Sequence, residues 1–280
     1  MFRALILMIF TFFFYRLHAT GDLSKYINMK YSYISYIAIF IFAILAVVQI
    51  FNVAKHKDEV QCCSDHSHMN VNQKPLFYRF LHYGIFIFPL VTGLFLPVAT
   101  LDSTIVKSKG FSFQTIESLE ASDPYAQTQY LKPDTSVYYG KEGHYELMEK
   151  ELKQFAHSNK VELNNENFLK GMEIIYNFPG EFMDKEISFD GFTFKGDTLK
   201  VNQFFILRFG IIHCIADSGA FGMLVEFPEN VHFTDDVWLN VKGKISTMYY
   251  QPFKATIPVL KVEEWKSIKE PSDPYTYRQY

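Results

Sequence analysis

The sequence predicts a membrane α-helical N-terminal part followed by a small, mostly-β C-terminal domain, an OB-like barrel with short helices. Three observations predict it. Long uncharged apolar stretches are confined to the N-terminal part, the charge changes sign along the chain, and short alternating β-segments fill the C-terminal part. Residues 1–109 carry ten Lys and Arg against five Asp and Glu, a net +5, whereas residues 110–280 carry 17 against 25, a net −8. A basic apolar part fits membrane spans with basic flanks. An acidic tail disfavours nucleic acid or anionic lipid as its partner.

The spans come first in the chain. Tyr31 to Ala54 holds no charged residue and is dominated by Ile, Phe, Ala, Val and Leu, which is long enough to cross a hydrocarbon core as a helix. Phe80 to Leu101 is again uncharged, with Pro89 and Pro97 inside; a membrane helix tolerates proline where neighbours re-satisfy the freed carbonyl. Ala4 to Tyr15 is intensely apolar, and Arg16 and His18 follow at once. A retained first span places Arg16 where it snorkels to the headgroups. The rival reading is a secretory signal with a poor cleavage site at His18-Ala19-Thr20. Spans over about 3–20, 31–54 and 80–101 are therefore expected, with Tyr31, Tyr33, Tyr36, Tyr78 and Tyr83 near their ends, where tyrosine belongs.

Between the second and third stretches lies Cys62-Cys63-Ser64-Asp65-His66-Ser67-His68. Thiolate and imidazole together suit zinc best, with other thiophilic ions behind it. Cys62, Cys63, Asp65, His66 and His68 are the expected ligands. Adjacent cysteines differ from the gapped pair of a zinc knuckle, so such a run binds by composition rather than by a closed site. A solvated polar loop without a ligand is the alternative. Basic residues divide equally between the two sides for three spans, so they leave the orientation open. A cytosolic N-terminus keeps Cys62 and Cys63 reduced and puts the C-terminal region outside the cell membrane. Cys214 is the single cysteine after the spans, so no disulfide forms there.

The expected domains are a transmembrane region over 1–105, a connector with an amphipathic helix over 106–160, and the β-rich domain over 161–280. Asp123-Pro124 and Lys132-Pro133-Asp134 mark the connector as extended, with a further turn at Tyr138-Tyr139-Gly140. Leu147, Met148, Leu152 and Phe155 are on helical spacing and predict a helix from Glu146 to His157. A second short helix is expected over Glu166 to Tyr176, capped by Asn164 or Asn165. From Phe182 onward about five strands follow, with turns at Gly196-Asp197, Ser218-Gly219 and Asp235-Asp236. All of them fall between Asn164 and Lys269, and that count and length point to an OB-like barrel.

On the longest of these strands stands Arg208, an expected partner-binding residue together with Arg16 and His18. Beyond it, His213, Cys214 and Asp217 are three further metal-ligand types in close spacing. An imidazole beside a cysteine also lowers a thiol pKa, so thiol chemistry at Cys214 is an alternative. Plain core packing for Cys214 and an ordinary turn at Asp217-Ser218-Gly219 are the simpler readings. His82 within the third apolar stretch is an interfacial or protein-facing histidine. No phosphate-binding loop, nucleophile elbow or paired-carboxylate signature occurs, so an enzyme is not the expected class.

Several motifs together resemble one family. They are Arg16-Leu17-His18-Ala19-Thr20-Gly21 with Lys25-Tyr26-Ile27-Asn28, and Pro97-Val98-Ala99-Thr100-Leu101-Asp102-Ser103 with Lys109-Gly110. Gly191-Phe192, Leu207-Arg208-Phe209 and His213-Cys214-Ile215-Ala216-Asp217-Ser218 complete the set. Over nearly the whole chain the sequence resembles the YcgQ-type permease-subunit family. The resemblance implies a chain that works beside a separate multi-span permease, with metal ions as the expected cargo and a His/Cys-rich loop between spans. This chain has His213-Cys214 where the family often has paired cysteines. Metal binding survives that change in principle, and a dithiol chemistry does not. The expected function is an accessory subunit of a membrane permease for a transition-metal ion such as zinc, multi-pass in the cell membrane. In that reading the loop captures metal, and the β-domain docks the partner or binds the ion. The alternative is a membrane-anchored ligand-binding or sensor module not specific for metal.

Overall fold

The computed structural model describes residues 2–58, 76–96, 103, 106, 111–112, 129–130, 133, 136–156, 158–183, 185–196 and 199–278. The chain divides into two compact units, Met1–Thr100 and Leu101–Tyr280.

The first unit is helical: α1 (Phe2–Thr20), α2 (Ser32–Asp58) and α3 (Leu76–Phe95). Apolar residues occur all round α1 and α2, so neither presents the single stripe of a helix laid on a soluble core. Both are long and apolar enough to cross a membrane, with only 11% and 6% of their most apolar windows buried. Those small fractions exclude the core helix of a soluble protein, which hides its apolar residues. Aromatic contacts join the helices. Phe42 of α2 stacks on Phe10 and Phe14 of α1, and Phe2 meets Tyr83 of α3 edge-on at 4.7 Å. Gly93 of α3 leaves room for the Phe13 ring, which a Cβ there would meet at 2.7 Å. Pro89 lies inside α3, as the sequence led one to expect. Gly21 turns the chain after α1 at φ 77°, a conformation that suits a residue without Cβ.

The second unit is a mixed sheet of seven strands with short helices. Before it come β1 (Phe111–Ser112) and β2 (Gln129–Tyr130), a two-residue parallel pair, and the helix α4 (Ser136–Ala156). The helix begins ten residues before the expected Glu146, running through Gly140, although glycine inside a helix costs about 1 kcal/mol. Strand β3 (Lys160–Leu163) precedes α5 (Phe168–Asn177). Neither Asn164 nor Asn165 is the N-cap of α5; that residue is Asn167, while the Asn164 side chain accepts from the N–H groups of Glu166 and Asn167 and so shapes the turn before it.

Then come β4 (Glu186–Phe194), β5 (Gln203–Ile211), β6 (Gly219–Glu226), β7 (Trp238–Tyr250), β8 (Ala255–Ser267) and β9 (Tyr275–Tyr277). Antiparallel pairings join β4 to β5, β5 to β6, β7 to β8 and β4 to β7, and a parallel pairing joins β6 to β8. Those five pairings form a closed cycle of neighbouring strands. β3 and β9 extend the ring at β4 and β5. The register of β7 against β8 shifts at Lys242/Gly243, and a Cβ on Gly243 would run into the Lys261 carbonyl, so the bulge requires glycine. Every residue of β5 is buried, which makes it the central strand of the core. Phe168, Phe182 and Ile187 pack there with Leu207, Leu224 and Leu260, all completely buried.

Candidate functional site

In the helical unit the polar residues at the end of α1 are satisfied within the unit. Arg16 Nη1 donates to the Leu94 carbonyl at 2.9 Å. Leu94 is in the last turn of α3, whose carbonyls lack helical partners, and a cation there also suits the helix dipole. His18 Nε2 lies 2.8 Å from Ser35 Oγ, and its ring stacks on Tyr36 with centroids 3.8 Å apart. Arg16 and His18 thus tie α1 to α3 and to α2. In the turn after α1, hydrogen bonds from Lys25 and Thr20 hold the Asp22 carboxyl below its usual pKa.

The expected loop ligands Cys62, Cys63, Asp65, His66 and His68 lie outside the described residues. Among the described residues no group of three or more His, Cys, Asp and Glu is placed to hold a metal ion. His213, Cys214 and Asp217 do come together, but as a turn. Strand β5 ends at Ile211, so Cys214 is not on it, and a short 3-10 turn runs Ile215–Asp217. Asp217 accepts the backbone N–H of His213 at 2.9 Å and of Cys214 at 3.0 Å, and faces His213 Nδ1 at 2.8 Å. A carboxylate on Nδ1 fixes the tautomer and turns Nε2 outward, the arrangement seen behind many metal-bound histidines. The Asp217 oxygens are meanwhile engaged as acceptors, and Cys214 is half-buried with a free thiol.

Two arginines of the β unit are each only 1% exposed, and their surroundings differ. Arg278 follows β9. Its Nη2 lies 3.0 Å from Glu151 of α4 and its Nη1 3.1 Å from Glu173 of α5, with Lys170 Nζ 3.8 Å from Glu151. This closed charge cluster pins both helices to the end of the chain. Sequence reasoning missed it. The available signal was Glu173 itself, which shares a helical stripe with Leu169, Met172 and Tyr176 and is therefore a charge on the buried face.

Among the described residues Arg208 of β5 has no such counter-ion. Nη1 donates to Asn165 Oδ1 at 2.6 Å and Nη2 reaches the Tyr275 carbonyl at 3.4 Å. The guanidinium lies 5.7 Å from the ring centroids of both Phe168 and Trp238. Nε has no hydrogen-bond partner among the described residues. Burial lowers the Arg208 pKa, and Asp190 and Asp273 pull it back up from a distance. Arg208 borders a polar cavity of about 420 Å³, with Asn165, Asp190 and Asn240 on its walls. The topology makes this opening. On one edge of β4, β3 pairs with Glu186–Phe189 and β5 pairs from Phe192 onward, leaving Asp190 and Gly191 between them.

Known proteins resemble the chain in both parts. Residues 2–112 match the DUF1980 N-terminal domain, and residues 138–278 match the DUF1980 C-terminal domain. UPF0703 protein YcgQ of Bacillus subtilis (strain 168) is 52% identical over the full length of both chains. A Streptococcus mutans protein (serotype c, strain ATCC 700610 / UA159), named as a two-component membrane permease complex subunit, is 36% identical over 94% of each chain. Neither name is that of an enzyme.

Proposed function

The chain belongs to the DUF1980 family, and from that premise we propose that it is a multi-pass accessory subunit of a membrane permease that moves a transition-metal ion such as zinc. One observation carries the reading. A relative over nearly the whole length is named as one subunit of a two-component permease complex, and this chain has the apolar, outward-facing helices that a membrane subunit needs. Three helices are too few to enclose a pathway alone, so the conducting partner is a second, multi-span protein. Cys62, Cys63, Asp65, His66 and His68 capture the ion on the loop between α2 and α3, and the β unit stands outside the cell. The chemistry of that run supports zinc over magnesium or calcium, which prefer oxygen ligands.

The test is co-purification from native membranes in mild detergent. An integral multi-span protein should be recovered at a fixed ratio, with zinc in the complex. Replacing Cys62 and Cys63 by Ser and His66 and His68 by Ala should remove the zinc and leave the partner bound. A chain recovered alone would overturn the subunit reading; unchanged zinc in the variant would overturn the loop as its site.

A further inference from the structure

A buried guanidinium without a carboxylate is costly, because its desolvation is not repaid by a counter-charge. The same domain shows the usual solution at Arg278, which faces two glutamates. Among the described residues no carboxylate lies within ion-pair distance of Arg208, yet it is as deeply buried and borders an open cavity. Guanidinium stays charged and presents donors in a planar fork that matches a carboxylate. Nε is still unpartnered, and the Nη2 bond at 3.4 Å is long enough to yield to a better acceptor. The cavity therefore offers an anion-seeking floor.

Its walls have the opposite sign. Asp190 uses Oδ1 to accept from Asn240 Nδ2 at 2.6 Å, and Glu162 and Glu166 also border the space. A simple anion would gain Arg208 but face three carboxylates. A simple cation would gain the carboxylates but face a buried arginine. A molecule with both charges satisfies both sides. We propose that this cavity binds a small zwitterion of the free amino acid class, its carboxylate on Arg208 and its ammonium among Asp190, Glu162 and Glu166. About 420 Å³ accommodates such a ligand with its side chain. This ligand is separate from the metal cargo, so the site would make the β unit a sensing or delivery module beside the permease.

The test is calorimetric titration of the detergent-solubilised full chain with each of the twenty common amino acids, and with acetate, methylammonium and glucose as partial probes. At least one amino acid should bind, at least tenfold more tightly than acetate or methylammonium. Arg208→Gln should weaken it at least tenfold. Because Arg208 is buried and that variant can misfold, Asp190→Asn serves as the second arm: it keeps an acceptor for Asn240 and should also weaken the zwitterion at least tenfold while leaving acetate unchanged. No amino acid bound, acetate or glucose bound as tightly as the best of them, or full-strength binding by a folded Asp190→Asn protein would each overturn the proposal. Co-purification of the permease and zinc retention are unaffected by any of these outcomes, so the two readings fail separately.

Discussion

Phe40, Phe51, Phe88 and Phe95 of the helical unit are 67–79% exposed, whereas Phe168, Phe182, Phe189 and Phe205 of the β unit are at most 2% exposed. The same residue type faces out in one half and in in the other. An exposed apolar surface this continuous is not stable in water. It is what a bilayer or a partner helix covers, since every backbone group of a helix is already hydrogen-bonded internally. The β unit instead carries most of its charges outside, Arg208 and the Arg278 cluster apart, and its phenylalanines inside, as a protein in water does. The difference places the two halves of one chain in two solvents.

Separating the halves breaks the comparison most completely. Residues 101–280 expressed alone should be soluble, rich in β-structure by circular dichroism, and melt in one cooperative step. Residues 1–100 should remain in the membrane fraction and aggregate without detergent. An insoluble β unit would mean that the helices complete its core. The boundaries matter. The expected strands all fall between Asn164 and Lys269, but a fragment cut there would lose Glu151, β9 and Arg278.

That charge cluster supplies the next effect. Arg278→Met removes the guanidinium that two buried glutamates share and leaves Glu151 with the more distant Lys170. Breaking a buried pair in this way costs about 3–5 kcal/mol. Chemical denaturation of the β unit should show it as a lowered midpoint with an unchanged slope. Adding Glu151→Leu and Glu173→Leu to Arg278→Met should recover much of the loss, because both buried carboxylates are then gone and only the partly exposed Lys170 has lost its partner. No recovery would point to packing rather than charge as the cause.

How much of this was legible beforehand follows from what each signal depends on. The spans depend on local composition, and α1 and α2 stand where uncharged apolar runs put them. The strands depend on alternation, and β4 through β8 fall within a few residues of Phe182 to Trp265. The closure of the ring depends on the pairings of β4 with β7 and of β6 with β8, between strands distant in sequence, and alternation does not carry that register. Helix α4 was half seen, since its first ten residues hold Tyr138-Tyr139-Gly140, which reads locally as a turn. Arg208 was visible as a charge on an apolar strand, but its cavity was not. Asp190, Asn165 and Asn240 come from three different segments and meet only because β3 and β5 leave β4 between them.

On the water-facing side of the β unit, surface charge should matter only modestly. Glu226 is held below the usual carboxylate pKa by the Lys261 ammonium first and by Gln203 as well. Its folded value is depressed, so its contribution is present above the unfolded value of about 4.3 and is lost as pH falls through the folded value. Glu226→Gln should therefore lower stability slightly at neutral pH, leave it nearly unchanged in strong acid, and so flatten the acid limb of the stability profile. An unchanged acid limb would assign that loss to other carboxylates.

The smallest expected effect concerns Cys214, and it tests whether the turn there takes a metal ion. Cys214 is half-buried at the start of a turn, not packed in the core. Alkylation should therefore proceed in the folded β unit at a rate well above that of global unfolding. Its turn is held by Asp217, which accepts from the His213 and Cys214 N–H groups and faces the His213 imidazole. An Asp217 so occupied is a poor third ligand, and His213 with Cys214 alone falls short of the four ligands a structural zinc site takes. Zinc and chelator should then give the same labelling rate at Cys214 in residues 101–280. In the full chain, protection by zinc should appear at Cys62 and Cys63 and not at Cys214. Zinc protection of Cys214 in the isolated β unit would reverse this assignment: the turn would have to open, release Asp217 and bind the ion itself.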